Sequence, residues 1–255
     1  ELPAAHRLSR RQSIQIAAVR ENVVQIDEDR LQAFLARLAY PRVYLDFEAF
    51  STGIPPVDGV GPFEHIPYLF SVHRQEARGA PIENQTNEKK PGMDQRVEMF
   101  RELLRWTRES GSLVVFSAAF ESAMIRQLAR RAELPEHGEH LIEGIVDLLE
   151  PFNEFTIYHP EQLGKVSMKR IVPIFTEESY EELDVQDGLE ANVAYGELFD
   201  RFRSEAIRPD RYPQPAGTED PESVLSRLEA YCIQDTSGMV RLVEELEALS
   251  AHGAS

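Results

Sequence analysis

The sequence predicts an α/β fold in which helices flank a mixed sheet. Short apolar runs typical of strands lie near residues 42–50, 66–73 and 112–116. Apolar residues at helical spacing lie near residues 94–108, 118–131, 189–203 and 221–249. Because strand-like and helix-like segments alternate along the chain, we expect one sheet that is covered by helices.

We expect residues 1–40 to form a helical appendage and residues 41–250 to form the main domain. The first half of the appendage carries Arg7, Arg10, Arg11 and Arg20. For these arginines a solvated helix face is favoured over a phosphate-binding arm, because basic clusters are common on helices. The second half has apolar residues at helical spacing behind an acidic start at 27–29, which predicts a short helix that packs on the main domain. These apolar residues are Leu31, Phe34, Leu35 and Leu38.

Within the main domain, the run at 66–73 is predicted to be the next strand of a hairpin or meander. It follows the strand at 42–50 after a loop rich in Pro, Gly and Asp. The remaining segments are predicted as a polar loop at 78–92, a short apolar element at 141–149, a loop with a short helix broken by Pro173 at 164–175, and a long connection at 208–222.

Composition narrows the class of protein. The chain has 255 residues and a net charge of −17, from 27 basic and 44 acidic residues. A negative net charge argues against a protein whose whole surface binds phosphates. It is compatible with basic residues that cluster at a cleft. No apolar stretch approaches the roughly 18 residues of a membrane helix, so we expect a soluble, cytoplasmic protein with no membrane partner. Because the chain begins at Glu1, a further upstream domain is also expected.

Two acidic residues lie inside the apolar strand-like run at 43–50, VYLDFEAF. Side chains alternate between the faces of a strand, so Asp46 and Glu48 are expected on one face, with Leu45 and Phe47 on the other. Adjacent carboxylates repel each other and are costly to bury, and a divalent cation relieves both effects. Hard oxygen ligands favour Mg²⁺ or Mn²⁺. The alternative is a strand end with both acids in solvent.

Two later segments carry further candidate residues. The run SAAFE at 117–121 follows the strand at 112–116 and opens a helix, which places Glu121 in the first turns of that helix. Strand ends are where open α/β sheets build their sites, so Glu121 is expected near the first two acids. On the final helix, Tyr231 and Asp235 are four residues apart and lie on one face.

Asp-x-Glu on the first strand, an acid after Phe at a strand-to-helix junction, and Tyr-x-x-x-Asp on a late helix occur in the order seen in the DEDD exonucleases. The chain resembles the tyrosine-bearing branch of that superfamily over roughly residues 40–248, which implies a ribonuclease H-like fold. The other branch has histidine at the position of Ala230. The chain resembles more closely still an uncharacterised bacterial domain family with a Leu-Asp-Phe-Glu start and a Tyr-Cys-x-x-Asp-Thr end.

The resemblance implies that Asp46, Glu48, Glu121 and Asp235 bind two Mg²⁺ or Mn²⁺ ions and form a catalytic site with Tyr231. Tyr231 matches the tyrosine that orients the attacking water, whereas Glu121 departs from the usual Asp. Two ions about 3.5–4 Å apart activate a water and stabilise the leaving oxygen of a phosphodiester. The implied activity is 3′–5′ exonucleolytic hydrolysis of single-stranded or frayed DNA or RNA, with release of nucleoside monophosphates.

The alternative function is a catalytically weakened nuclease fold that binds or scaffolds within a larger protein. The acidic net charge and Glu121 favour it. A glycosidase is disfavoured, because acids two residues apart on one strand cannot flank a sugar from opposite faces. The candidate substrate-binding residues are Lys165, Lys169 and Arg170, for which a solvated loop is the competing interpretation.

Four other residues receive structural interpretations. Asp147 is expected to contact a metal-binding residue without binding metal itself, or to make a structural hydrogen bond. His65 and His73 have no partner identifiable from sequence and are expected in core or surface positions. Cys232, the single cysteine, is expected to be a small buried residue, and it excludes an internal disulfide framework.

Overall fold

A computed structural model describes residues 8–176, 178–180, 188–207 and 219–253. Arg7 and most of the connection predicted at 208–222 lie outside these described residues. Within them the predicted fold class is confirmed, because a five-stranded mixed sheet is flanked by helices.

The described strands fall into a main sheet and a two-stranded ribbon. In chain order the strands are β1 (Gln25–Ile26), β2 (Arg42–Phe50), β3 (Ile66–Gln75), β4 (Ile82–Thr86), β5 (Ser112–Val115), β6 (Ile145–Asp147) and β7 (Ile157–Tyr158). The main sheet has the spatial order β4-β3-β2-β5-β6, and β1 pairs with β7. Strand β2 is central, with β3 antiparallel on one side and β5 parallel on the other. The acid-bearing strand is therefore the most enclosed strand of the sheet.

Two segment predictions need correction. The polar loop predicted at 78–92 contains β4, whose backbone pairs with β3 from Ile82 to Thr86 although its own sequence, IENQT, has few apolar residues. The single apolar element predicted at 141–149 is divided between the end of one helix and β6. In both cases the neighbouring strand with which the backbone pairs decides the structure. The tendency to form a strand depends on this context more than on amino-acid composition.

The described helices lie on both faces of the sheet. In chain order they are α1 (Arg10–Glu21), α2 (Glu28–Leu35), α3 (Arg96–Trp106), α4 (Ala118–Arg131), α5 (Pro135–Glu143), α6 (Glu150–Asn153), α7 (Met168–Phe175), α8 (Gly188–Ile207) and α9 (Pro221–Gly253), with a 3₁₀ turn at Pro160–Gln162. The predicted helices near 94–108, 118–131, 189–203 and 221–249 are confirmed. The short helix predicted within 164–175 is α7, but the predicted break is wrong, because Pro173 lies inside the helix, which continues to Phe175.

The alternation predicted for β2 determines what each face of the sheet contacts. Leu45 and Phe47 belong to the apolar core that β2 forms with α3 and α4. Tyr44 faces the opposite side, in a core with α2 and α9. Phe50, at the end of β2, packs edge-on against Tyr195 of α8, with ring centroids 5.1 Å apart. Asp46 and Glu48 therefore lie on the side of the sheet covered by α8 and α9.

The N-terminal segment packs on the rest of the chain through α2 and β1. Leu31 is fully buried and Phe34 nearly so, which confirms the short docking helix predicted there. The carboxylate of Asp27 accepts a hydrogen bond from the backbone N–H of Arg30 and thereby caps α2. Arg10 forms an ion pair with Asp27 at 3.0 Å. The boundary at residue 40 stays a prediction.

Candidate functional site

The central strand positions the first two acids. Asp46 pairs in register with Ser71 of β3, and Glu48 pairs with Leu69 just before a register shift between Glu48 and Ala49. Glu48 is buried, and Asp46 is partly buried. The alternative of a solvated strand end does not hold, because α9 covers this face. Two carboxylates thus project from one strand into a narrow space beneath a helix.

Glu121 is held by the N-terminal end of α4, and Asp147 fixes that end. The carboxylate of Asp147, on β6, accepts hydrogen bonds from the backbone N–H groups of Ser117 at 3.0 Å and Ala118 at 2.9 Å. It also accepts one from Leu149 N–H at 2.9 Å. Ser117 has a φ of 118° and makes no side-chain cap of its own. Asp147 therefore acts as the cap of α4, which agrees with the structural hydrogen bond predicted for it.

The final helix supplies the remaining predicted residues from one face. Tyr231 and Asp235 of α9 are both buried, and Asp235 lies close to the hydroxyls of Tyr231 and Tyr180. Cys232 of the same helix places its Sγ 3.7 Å from the backbone oxygen of Asp46 and 3.8 Å from Asp46 Oδ2. These contacts bring α9 directly over the acids of β2.

The four predicted metal-binding acids form one electrostatic cluster, called here the carboxylate cluster: Asp46, Glu48, Glu121 and Asp235. Burial raises the pKa of each of them. Mutual repulsion adds to the effect: the charge of Asp235 raises the pKa of Asp46, and the charges of Asp46 and Glu48 raise that of Glu121. Asp235 has its pKa raised to about 6. The positive charge of Lys169 acts in the opposite direction and lowers the pKa of Asp46, Glu48 and Asp235, so four acids share one basic side chain.

Two oxygens of the carboxylate cluster have no partner. Glu121 Oε2 and Asp235 Oδ1 are buried and receive no hydrogen bond from any described residue. A buried carboxylate oxygen without a donor or cation is costly. The site fits a hard divalent cation at Asp46 and Glu48, which each place an oxygen within 4.8 Å of the other. Glu121 and Asp235 contribute charge and oxygens without partners to the same site, but neither belongs to a set of three described ligand residues that lie this close together. These four acids are the residues that could hold metal.

Cys232 lies next to the cluster, but its thiol differs from the carboxylate oxygens as a possible metal ligand. One ligand atom from each of Asp46, Glu48 and Cys232 lies within 4.8 Å of the others. Burial, and then the charge of Asp46, raise the pKa of the Cys232 thiol, so the sulfur stays protonated. A neutral thiol is a poor ligand for Mg²⁺ or Mn²⁺. The prediction of a buried cysteine is confirmed, and its thiol acts as a weak donor to Asp46.

The three predicted substrate-binding residues are separated by the structure. Lys169, in α7, has its Nζ 4.3 Å from the ring centroid of Tyr231, and its charge lowers the pKa of Asp46, Glu48 and Asp235. Lys165 is exposed on the turn before α7, and Arg170 donates a hydrogen bond to the backbone oxygen of Glu161. Only Lys169 among the three therefore lies at the carboxylate cluster.

Sequence reasoning missed a polar network behind the cluster. Thr236 Oγ1 lies 2.7 Å from Ser71 Oγ and 2.8 Å from His73 Nδ1, and Asn84 donates to Ser71 Oγ at 3.1 Å. Burial lowers the pKa of His73 to about 4, so its ring is neutral. His73 thus has a partner that its sequence did not reveal. The available signal was that Ser71 and His73 share a strand face and Thr236 follows Asp235.

Two tyrosines near the cluster were also missed. Tyr68 of β3 stacks on Tyr195 with ring centroids 3.6 Å apart, and burial followed by the charge of Glu48 raises the pKa of Tyr68. Tyr180 lies beside Asp235, and its pKa is raised by burial and by that acid. The hydroxyl of Tyr68 is buried and has no hydrogen-bond partner among the described residues, whereas the buried hydroxyl of Tyr180 lies next to the Asp235 carboxylate. His65, by contrast, is exposed and its ring contacts Phe120 edge-on.

These features define an α/β protein with a buried carboxylate cluster at the centre of its sheet. The family whose description is "Domain of unknown function (DUF2779)" matches residues 43–167, just under half of the chain. The matched segment contains Asp46, Glu48 and Glu121 and ends before Tyr231 and Asp235. The match is compatible with the predicted resemblance to an uncharacterised domain family.

No curated protein and no solved structure matches the chain. Among the described helices, none is both long enough and apolar enough to cross a membrane.

Proposed function

We propose that this protein is a metal-dependent 3′–5′ exonuclease that hydrolyses single-stranded or frayed DNA or RNA. The observation that carries the proposal is the carboxylate cluster, in which Glu121 Oε2 and Asp235 Oδ1 are buried without a partner. Four acids accompanied by Lys169 leave a deficit of positive charge that divalent cations are suited to fill. The 3′-to-5′ direction of cleavage and the class of substrate are inferred from the resemblance to the tyrosine-bearing DEDD exonucleases.

In this proposal Asp46, Glu48, Glu121 and Asp235 hold two Mg²⁺ or Mn²⁺ ions. Such ions, when bound, lower the pKa of a water and neutralise charge on the phosphate. Tyr231 keeps its proton, because burial and then the charge of Asp235 raise the pKa of its phenol. Its hydroxyl therefore orients a water by hydrogen bonding and does not act as a base. Lys169 binds a phosphate oxygen of the substrate next to the Tyr231 ring.

The second candidate function is a catalytically weakened nuclease fold that binds or scaffolds in a larger protein. Glu121, in place of the usual Asp, favours it, together with a net charge of −17. The unpartnered oxygens at the cluster argue for the active enzyme, because a scaffold gains nothing from burying charges that lack a counter-ion. Titration calorimetry with Mn²⁺ separates the two, since the scaffold predicts no binding at millimolar metal.

The proposed activity is tested by digesting single-stranded DNA and RNA oligonucleotides that are labelled at either end, with Mn²⁺, with Mg²⁺ and with a chelator. Shortening from the 3′ end in metal, and none in chelator, is the expected result. A well-folded protein that cleaves no substrate under any of these conditions would contradict the exonuclease and favour the scaffold.

Replacing Tyr231 with phenylalanine is expected to slow cleavage by about 100-fold, because the water loses the group that aligns it. The ring and its contact with Lys169 remain, so the fold and the Mn²⁺ affinity should change little. Single-turnover cleavage measures the first effect and calorimetry the second. A Tyr231→Phe protein that cleaves at the wild-type rate would remove this hydroxyl from the mechanism.

The stabilisation by Mn²⁺ is expected to increase with pH. Asp235 has its pKa raised from 3.8 to about 6, so between these values the folded protein holds a proton that the unfolded chain has lost. The free energy of unfolding without metal therefore falls as pH rises through this window. Metal needs ionised carboxylates, so the rise in melting temperature with Mn²⁺ should be small near pH 5 and larger near pH 8. A rise that is largest at pH 5 would contradict the assignment.

A further inference from the structure

A sulfur atom lies among the carboxylate oxygens of the cluster. Cys232, on α9, is fully buried and places its Sγ 3.8 Å from Asp46 Oδ2. With one oxygen of Glu48 these atoms form a group of three possible metal ligands, each within 4.8 Å of the other two. The residues Asp46, Glu48 and Cys232 are called here the sulfur site. It combines two hard oxygen ligands with one soft ligand.

The spacing within the sulfur site fits a tetrahedral ion. Zn²⁺ binds thiolate sulfur at about 2.3 Å and carboxylate oxygen at about 2.0–2.2 Å. At the tetrahedral angle these bond lengths place the sulfur and the oxygen about 3.5–3.7 Å apart. The observed separation of Cys232 Sγ and Asp46 Oδ2 is 3.8 Å. An ion can therefore bind both atoms after a small movement of one side chain.

The thiol distinguishes between two kinds of divalent ion. Mg²⁺ and Mn²⁺ prefer oxygen ligands and leave a neutral thiol unbound. Zn²⁺ accepts sulfur as well as oxygen, and a thiol that coordinates it loses its proton. The proton passes to water or buffer, a Zn–S bond replaces the S–H bond, and no electron is transferred. The two positive charges of the ion offset the repulsion between the new thiolate and the neighbouring carboxylates.

Asp235 gives a second indication that a ligand belongs at this position. It is buried, and its Oδ1 receives no hydrogen bond from the described residues. The charge of Asp235 raises the pKa of Asp46, so the two carboxylates face the same space. A tetrahedral ion held by three side chains keeps a fourth position, which an oxygen of Asp235 or a water fills.

We propose that Asp46, Glu48 and Cys232 bind Zn²⁺, or another divalent ion that prefers sulfur, and that this ion inhibits the protein. The ion takes the carboxylate oxygens of Asp46 and Glu48, which the catalytic Mg²⁺ or Mn²⁺ ions require. Zinc binding by the sulfur site is independent of any activity. The inhibition rests on the proposed exonuclease function.

The first test uses Co²⁺, which takes the same tetrahedral ligands as Zn²⁺ and absorbs light. A Co²⁺–thiolate bond gives an intense charge-transfer band in the near ultraviolet, whereas carboxylate ligands give none. Cys232 is the single cysteine of the chain, so the band reports on this residue alone. The wild-type protein, kept reduced with a phosphine, is expected to develop the band up to one ion per chain. Zn²⁺ should remove it, because Zn²⁺ has a filled d shell.

The second test compares the affinities for Zn²⁺ and Mn²⁺ in Cys232→Ser and Cys232→Ala. Both variants should lose the cobalt band and bind Zn²⁺ at least about tenfold more weakly, whereas their affinity for Mn²⁺ should change little. Zn²⁺ affinity is measured by competition with a chromophoric chelator and Mn²⁺ affinity by calorimetry. The alanine variant is included because a serine hydroxyl can itself bind an ion and is costly to bury.

A folded wild-type protein that shows no band at saturating Co²⁺ would overturn the proposal, as would unchanged Zn²⁺ affinity in both variants. An equal loss of Zn²⁺ and Mn²⁺ affinity would also overturn it, because the substitution would then have distorted the whole cluster. Inhibition is scored separately, by adding Zn²⁺ to digestions in Mn²⁺. The wild-type protein should be inhibited at lower Zn²⁺ concentrations than the variants, and equal sensitivity would refute inhibition through Cys232.

These measurements separate the zinc site from the proposed activity. A cobalt band in a protein that cleaves no oligonucleotide supports the sulfur site and contradicts the exonuclease. Cleavage in Mn²⁺ by a protein without the band refutes the sulfur site alone.

Discussion

Replacing Asp46 with asparagine is expected to lower the rate of metal-dependent cleavage by about 1,000-fold or more. The substitution keeps the shape of the side chain and removes one charge from the carboxylate cluster, so metal binding should be lost with the activity. The acids of the cluster repel one another when no metal is bound. The melting temperature of the metal-free variant should therefore be about 2–4 °C higher than that of the metal-free wild-type protein. Cleavage assays and thermal melts with and without Mn²⁺ measure both effects.

Asp235→Asn should behave in the same way, since Asp235 belongs to the same cluster from the opposite side. Asp200→Asn is the matched control. Asp200 is exposed on α8, and its replacement removes the same charge outside the cluster. The combination of lost activity and raised metal-free stability separates a site effect from unfolding. An Asp46→Asn protein that still cleaves and is still stabilised by Mn²⁺ would refute the assignment of the site.

Replacing Asp147 with alanine is expected to lower the free energy of unfolding by about 3 kcal/mol. Three backbone N–H groups, those of Ser117, Ala118 and Leu149, lose their acceptor together, and α4 loses a negative charge at its N-terminal end. Glu121 lies in the first turn of the same helix, so Mn²⁺ affinity should fall as well. Denaturant unfolding measures the first effect, and calorimetry of the folded variant measures the second.

Asp147→Asn is the graded control, because an amide keeps one acceptor oxygen and should lose less stability than alanine. If the alanine variant were destabilised by less than about 0.5 kcal/mol, the cap would not be important for α4. If both variants lost metal affinity equally while stability was unchanged, Asp147 would belong among the ligands and the interpretation as a cap would be wrong.

Some parts of this structure were predictable because they depend on rules that act over a few residues. The alternation in 43–50 places Asp46 and Glu48 on one face, since successive side chains of a strand point in opposite directions. The strand-to-helix junction places Glu121 in the first turn of α4. Other parts depend on a partner. Strand β4 has a polar sequence and is a strand only because the edge of β3 pairs with it.

Which basic residue near α7 lies at the carboxylate cluster was likewise not predictable from the sequence. Lys169 and Arg170 are adjacent on a helix, so their side chains differ in direction by about 100°. Lys169 contacts the ring of Tyr231, whereas Arg170 turns back to the backbone of Glu161. Which of them faces the carboxylate cluster is decided by how α7 packs on α9. Periodicity alone contains no information on that contact.

By itself the sequence determined which residues bear the acids and how each is presented by its own strand or helix. Only the tertiary structure decided that Asp46, Glu48, Glu121 and Asp235 share one buried cluster. Local rules act over one or two helical turns, whereas the distance between a strand and the final helix is set by packing of the whole core. Burial and mutual repulsion, which raise the pKa values of the acids, exist only after that packing has excluded water from them.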